Sequence, residues 1–314
     1  MAVLLIHTGG TISMARTETG FAPKAGVVED FVEKELGGRT GAHEIDIELL
    51  TPLIDSANAT PEDWNRISRR IADAVGRYRG VVVTHGTDTL AYTAAALCFA
   101  LEGLEMPVIL TGSMLPLTEP ENDGAGNLRD AFAAVLDAPA GVWVQFAGRR
   151  LHGARVYKTH SRKHDAFSCV PAHVPPRRDG AALIRHEARN ARVAIIAAAP
   201  FMPADLLGHV VTNCDAIILR CFGSGTIPES EALRSALAAA RAGEVPVMAV
   251  SQCAEGGVAL GTYAAGAVLV EGGVADGRDM TVEAAYAKMI HALVEETDYS
   301  RRIAFLERPL CGEI

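Results

Sequence analysis

One pattern constrains this chain more than any other. A short, β-branched apolar run stops at a polar, glycine-bearing turn and gives way to a helical pattern, and the sequence repeats this along its length. Ala2–Ile6, Gly80–Thr84, Pro107–Thr111 and Val142–Phe146 are such runs. Continuous apolar runs of this length suit strands buried on both faces of a parallel sheet. Thr60-Pro61-Glu62-Asp63 is a helix start, with a Thr N-cap, Pro at the first position and an acid three residues after the cap. Trp64, Ile67, Ile71 and Val75 follow at helical spacing. Thr89–Leu101 reads as a largely buried helix and Asn127–Leu136 as another. The alternation predicts right-handed βαβ units in a doubly wound, mostly parallel sheet.

Residues 171–191, with their prolines, arginine pairs and glycine, interrupt the pattern. It resumes with strands at Val193–Ala198, Ala216–Leu219 and Val245–Val250, and helices at Leu233–Arg241 and Met280–Glu295. The expectation is an α/β protein of two domains. A larger N-terminal catalytic domain spans 1–175, a linker 176–191, and a smaller parallel-sheet domain 192–314. The 314 residues are ample for two cores.

Composition excludes some function classes. A net charge of −9 repels phosphate backbones, so no nucleic-acid partner is expected. Arg69, Arg70, Arg77 and Arg79 read as one solvated helix face. The apolar runs fall well short of a membrane span, and no basic leader or cleavage site precedes the first strand, so the reading is cytoplasmic, with no membrane partner. The cysteines at 98, 169, 214, 221, 253 and 311 show neither CxxC nor regular spacing. Cys221 and Cys253 are expected in the core rather than as nucleophiles, with no paired His indicated.

Two turns carry the chemistry. The first strand ends in Thr8-Gly9-Gly10-Thr11 and another ends in Thr84-His85-Gly86-Thr87-Asp88-Thr89. In an open parallel sheet, ligands bind beyond the carboxyl ends of the strands, which is where both turns would sit. Taken singly, the first is compatible with a plain strand-to-loop turn, and the second with an N-cap for the helix that follows. Neither is a phosphate loop, since the Gly-Lys-Ser/Thr ending and the GxGxxG fingerprint are both missing.

Taken together, TGGTI and HGTDT resemble the bacterial-type asparaginase/glutaminase family of amidohydrolases, which use a threonine nucleophile. Thr51–Ser56, Thr60–Trp64, Leu110–Ser113, Asp123–Asn127, the Lys158 stretch and Asp279–Glu283 look like its cytoplasmic type I branch. The resemblance runs in order over nearly the whole chain. It implies Thr11 as nucleophile, with Thr87, Asp88 and Lys158 as the second catalytic group. Asp88 would also hold the substrate ammonium and Ser56 its carboxylate, with backbone donors of the turns at Gly10 and Gly86. It further implies L-asparagine as substrate, glutamine as a minor one, no cofactor, and a homodimer or homotetramer. Taken alone, Lys158 reads as a surface lysine and Ser56 as a turn serine.

The sequence departs from the family in several places. Met14–Ala25 is expected to form a lid, and Phe21 stands where the family carries a tyrosine. The ring can exclude water, but it has no hydroxyl to relay a proton. Ala57 replaces a glutamine of the secreted branch. Tyr157 replaces a threonine linked to regulation in some type I members. Glu255, near the place of an acid that the secreted branch borrows from a neighbouring subunit, reads as a loop acid. His160 and His164 stand four apart, but HSRKHD reads as a polar loop with no third ligand, so no metal is expected. Two other readings stay open. One is a sensing protein that binds asparagine with weakened catalysis. The other is the asparaginase-like subunit of a tRNA-dependent amidotransferase, against which stand the early position of the first turn and the acidic charge.

Overall fold

The computed structural model describes residues 1–203 and 205–314. The chain divides into two compact units, Met1–His186 and Glu187–Ile314.

The first unit carries the strands β1 (Val3–Gly9), β2 (Met14–Thr17), β3 (Gly20–Pro23), β4 (Arg39–Thr40), β5 (His43–Ile54), β6 (Val81–Thr84), β7 (Leu101–Glu102), β8 (Pro107–Thr111), β9 (Gly141–Phe146), β10 (Arg149–His152), β11 (Val156–Lys158), β12 (Phe167–Cys169) and β13 (Ile184–Arg185). Its helices are α1 (Val27–Leu36), α2 (Pro61–Ala74), α3 (Leu90–Ala100) and α4 (Gly124–Asp137). Among the described residues, a seven-stranded sheet runs in the order β10-β9-β8-β6-β1-β5-β4. Its central pairs are parallel, while β10 and β4 join the two edges antiparallel. Val3, Leu5, Val82 and Ile109 on the strands pack with Leu128 and Phe132 of α4 and Val28 and Val32 of α1 into one core.

Helix α2 starts as its sequence predicts, with Thr60 and Asp63 forming a capping box ahead of the buried Trp64, Ile67 and Ile71. It ends at Ala74, so Arg69 and Arg70 lie on it while Arg77 and Arg79 fall beyond it, and the four do not form one helix face. Helix α3 is buried around nearly its whole circumference, as its Ala/Leu composition implies. Residues 176–186, inside the expected linker, belong to the first unit: the buried Arg178 donates to the Phe99 carbonyl and pairs with Glu102, and β13 pairs with β7.

The second unit holds a four-stranded parallel sheet in the order β14 (Val193–Ala197), β15 (Ala216–Cys221), β16 (Val247–Ser251) and β17 (Ala275–Asp276). Its helices are α5 (Leu206–Asn213), α6 (Glu231–Ala242), α7 (Ala267–Glu271), α8 (Val282–Glu295) and α9 (Tyr299–Glu307). Leu207, Leu219, Leu233, Leu237 and Leu269 are among its core residues. Cys221 lies in that core, and burial pushes its thiol up to about 12. Cys253, expected in the core, is exposed in the loop after β16. Among the described residues, no helix is long and apolar enough to cross a membrane.

Candidate active site

Three chain segments meet at the carboxyl edge of the larger sheet, and glycines set how closely. Strand β1 leaves the sheet through Gly9 and Gly10, both at positive φ (114° and 90°). A Cβ on Gly10 would lie 2.5 Å from the Gly86 amide nitrogen and 2.7 Å from its Cα. The two turns therefore touch backbone to backbone. A Cβ on Gly86 would overlap the Ser56 hydroxyl, so the segment after β5 closes the same point. Thr11 follows Gly10 and opens a single 3-10 turn, Thr11–Ser13, while Thr87 follows Gly86. Each threonine is thus one residue beyond the seam.

Lys158, at the end of β11, bridges the second turn. Its Nζ donates to Thr87 Oγ1 at 2.9 Å and to Asp88 Oδ1 at 2.9 Å. The Lys158 side chain is 22% exposed and Asp88 65%, so this pair is open to solvent while Thr87 is buried. Ser56 is buried, and its carbonyl accepts from Thr89 Oγ1 at 2.7 Å. Thr89 occupies the N-cap position of α3 without capping it; its hydroxyl instead ties the β5 exit to the second turn.

Under the turns lie two buried histidines. His85 Nδ1 donates to the Gly86 carbonyl at 2.8 Å, which fixes the tautomer. Its Nε2 then accepts from Thr93 Oγ1 at 3.1 Å, and that hydroxyl accepts from Trp64 Nε1 at 3.2 Å. Burial holds the His85 ring below its ordinary value of 6.5, so it stays neutral and supports the turn. His7 is likewise held low, by burial that outweighs the nearby Glu29. Its Nδ1 lies 2.6 Å from Thr84 Oγ1, and Thr8 Oγ1 donates to the Thr84 carbonyl at 2.6 Å.

A third loop, after β8, is shaped by one carboxylate and one amide. Asp123 accepts from the amides of Met114 and Leu115, while Asn127 donates to the Gly112 carbonyl at 2.9 Å. A Cβ on Gly112 would collide with the His85 carbonyl, so this loop presses on the second turn.

A lysine bonded to a hydroxyl and a carboxylate, on a turn in backbone contact with the turn that carries Thr11, is equipment for activating an alcohol toward an acyl carbon. Residues 2–182 match the family described as Asparaginase, N-terminal, and residues 192–304 match the Glutaminase/Asparaginase C-terminal domain. The chain belongs to the asparaginase family. It is 36% identical over 332 residues to the L-asparaginase of Thermococcus kodakarensis, covering 100% of this chain and 99% of that one. It is 34% identical over 334 residues to L-asparaginase 1 of Escherichia coli K12, covering 100% and 98%. The crystal structure of L-asparaginase I from Vibrio cholerae superposes with a TM-score of 0.90 at 30% identity, covering 100% of this chain and 98% of that one.

Asparaginase-family membership accounts for the convergence of Gly10, Thr11, Ser56, Gly86, Thr87, Asp88 and Lys158 on one edge. Phe21 is placed differently. The expected lid loop is a β2–β3 hairpin, and the Phe21 ring, 40% exposed, lies under the Arg16 guanidinium at 4.9 Å. Arg16 in turn bonds Glu119 at 3.0 Å, and Thr118 Oγ1 donates to the Met14 carbonyl, so the hairpin is fastened to the loop after β8. His160 accepts the amides of Arg162 and Lys163 at its Nδ1, a turn-forming role. His7, Thr84, Asp123 and Asn127 support the turns and carry no role in the sequence reading. In the sequence the Asp123–Asn127 stretch reads only as part of the resemblance, and His7 falls just past the apolar run Ala2–Ile6, at the start of the polar turn, with no role of its own.

Proposed function

We propose that this chain hydrolyses L-asparagine to L-aspartate and ammonia, with L-glutamine as a slower substrate. The observation that carries the reading is Lys158 Nζ at 2.9 Å from both Thr87 Oγ1 and Asp88 Oδ1, on a turn seated against the one that bears Thr11.

In this reading Thr11 Oγ attacks the side-chain carboxamide carbon, and its proton passes to the Thr87–Lys158 group. The tetrahedral intermediate collapses with loss of ammonia, which takes up a proton as it leaves. A β-aspartyl ester on Thr11 remains. Water adds to that ester, the Thr11 oxygen departs and regains its proton, and aspartate is released. Asp88, open to solvent beside Lys158, receives the substrate α-ammonium. Ser56 and the backbone donors of the turns at Gly10 and Gly86 receive the α-carboxylate. Phe21 belongs to the hairpin that covers the site. The chemistry runs without a metal or organic cofactor. The protein acts in the cytoplasm as a homodimer or homotetramer, with no nucleic-acid or membrane partner. The first unit, with its boundary near 175–186, holds the chemistry.

A second reading has one observation in its favour: the residue at the lid position has no hydroxyl, and its ring is engaged with Arg16. On that reading the protein binds asparagine and signals its presence. Ammonia release by the purified protein across a wide range of L-asparagine, with L-glutamine in parallel, separates the two. Saturable release supports hydrolysis. Thermal stabilisation by asparagine without ammonia supports sensing. If hydrolysis is held back by the missing hydroxyl, Phe21→Tyr raises kcat, by up to about 100-fold for a restored proton-transfer group. An unchanged kcat shows that the Thr87–Lys158 group suffices.

A further inference from the structure

Strands β1 and β6 are parallel neighbours in register from Leu4↔Val81 to His7↔Thr84. His7↔Thr84 is the last rung of that ladder. Immediately beyond it the register of β1 against β5 slips between His7 and Gly9, and the chain leaves the sheet. Past this rung, Thr8 ties to the Thr84 carbonyl, and the two turns then meet backbone to backbone where Gly10 approaches Gly86. That contact fixes how near the turns come, but it has no direction of its own. Thr11 lies four residues past His7, and Thr87 three past Thr84.

The rung is joined by side chains as well as backbone. His7 is 2% exposed and Thr84 fully buried, and His7 Nδ1 lies 2.6 Å from Thr84 Oγ1. A bond this short between buried neutral groups is directional and strong in its low-dielectric surroundings. With Thr8 holding the Thr84 carbonyl, one residue of β6 is gripped at two atoms by two successive residues of β1.

We infer that His7 is a positioning residue for the reaction: through Thr84 it fixes the turn bearing Thr11 in register with the turn bearing Thr87, to which Lys158 is bonded. This rests on the proposed hydrolysis. A nucleophile and its base are sensitive to small offsets, and an error near 1 Å costs about 100-fold in rate. Substrate held mainly by Asp88 and Ser56 is less affected. Loss of the bond therefore lowers kcat and leaves KM nearly alone.

The experiment measures kcat and KM for ammonia release from L-asparagine by wild type, His7→Leu, His7→Asn, Thr84→Val and Thr84→Ser, each normalised to folded protein well below its Tm. Asn places a polar atom near the position of Nδ1, and Ser keeps the hydroxyl, whereas Leu and Val remove the partners. The expected result is a kcat loss of about 10- to 100-fold in His7→Leu and Thr84→Val, with KM within about threefold of wild type. His7→Asn and Thr84→Ser recover most of it. If His7→Leu does not fold, Thr84→Val, nearly isosteric on a β-branched strand, decides the matter. Wild-type kcat in the folded Leu or Val variants overturns the inference alone, as does a loss of kcat that Asn and Ser fail to restore. Absence of ammonia release from the wild type overturns the proposed hydrolysis, and the inference with it.

Discussion

Two short lysine–carboxylate pairs, one in the first unit and one in the second, have little in common beyond their length. Lys158 and Asp88 meet at 2.9 Å with side chains 22% and 65% exposed. Lys288 and Glu313 meet at 2.6 Å with both side chains fully buried. The second pair is held by main-chain groups. Lys288 also donates to the Arg308 carbonyl at 2.6 Å, and Glu313 accepts the amides of Leu310 and Cys311. Burial pulls the Lys288 ammonium below its ordinary value against the opposing pull of Glu313. Burial pushes the Glu313 carboxyl up, but the Lys288 charge, its hydrogen bond and the amide donors carry the carboxyl below its ordinary value. The pair fastens the end of the chain to α8. Lys158 shares its protons with a hydroxyl and with a carboxylate half open to water. A short ion pair by itself therefore says nothing about chemistry; the other acceptors and the access of solvent decide what it does.

The comparison can be broken most directly at Lys158. Lys158→Met removes the donor to Thr87 and Asp88 at a partly exposed position. Turnover is expected to fall by about 1,000-fold or more, with the unfolding free energy changed by less than about 1 kcal/mol. Steady-state ammonia release and urea unfolding on one preparation check both halves. A variant that keeps its rate places the base elsewhere.

Lys288→Met is expected to behave oppositely. Leaving Glu313 buried without its partner destabilises the protein by about 3–5 kcal/mol. Lys288→Met combined with Glu313→Leu recovers much of that loss, because no charge is then left in an apolar setting. Denaturant midpoints of the two variants test this. Equal midpoints would show that the pair is not coupled.

The smallest effect is in pH. Two titratable groups beneath the turns of the first unit, His7 and His85, are both held below their ordinary 6.5 by burial, against the opposing charges of Glu29 and Asp63. Unfolded, each ring takes a proton near 6.5; folded, it resists. Stability of the first unit therefore falls as pH drops below about 6.5, by up to about 1.4 kcal/mol per pH unit for each ring, until the folded rings protonate as well. Glu313 contributes stability that is present above its ordinary 4.5 and is lost only as pH falls from there through its lowered folded value. Both tryptophans, Trp64 and Trp143, lie in the first unit, so their fluorescence isolates it. Its melting temperature should begin to fall near pH 6.5, and a flat profile down to pH 4.5 would contradict the role given to the buried rings.

Much of the first unit was legible because central parallel strands are apolar on both faces. β6, β8 and β9 fall within a residue or so of the runs that predict them. β5 escaped because its outward positions are polar or charged at Glu44, Asp46 and Glu48, and it pairs near the sheet edge where one side meets water. Its loss hid the element that delivers Ser56. The β2–β3 hairpin escaped because Glu18-Thr19 is not a turn pair with a strong signature. At the site, the paired Thr-Gly turns were readable as chemistry at a sheet edge. The place of Lys158, some 70 residues downstream, was not, since no local pattern marks a lysine that reaches back across the fold. Long-range pairs such as His7–Thr84 and Lys288–Glu313 are invisible for the same reason.

The glycine seam between Gly10 and Gly86 also limits what the protein can become. Where two main chains are in contact, there is no rotamer to exchange and no volume to trade, so that wall of the site cannot be remodelled by substitution or yield to a bulkier ligand. On the proposed function, adaptation to another amide would act elsewhere. One place is position 57 beside Ser56, now a small alanine, and another is the hairpin fastened by Arg16, Glu119 and Thr118. Under that function, selectivity is thus adjustable at the hairpin and beside Ser56, over a glycine seam that does not vary.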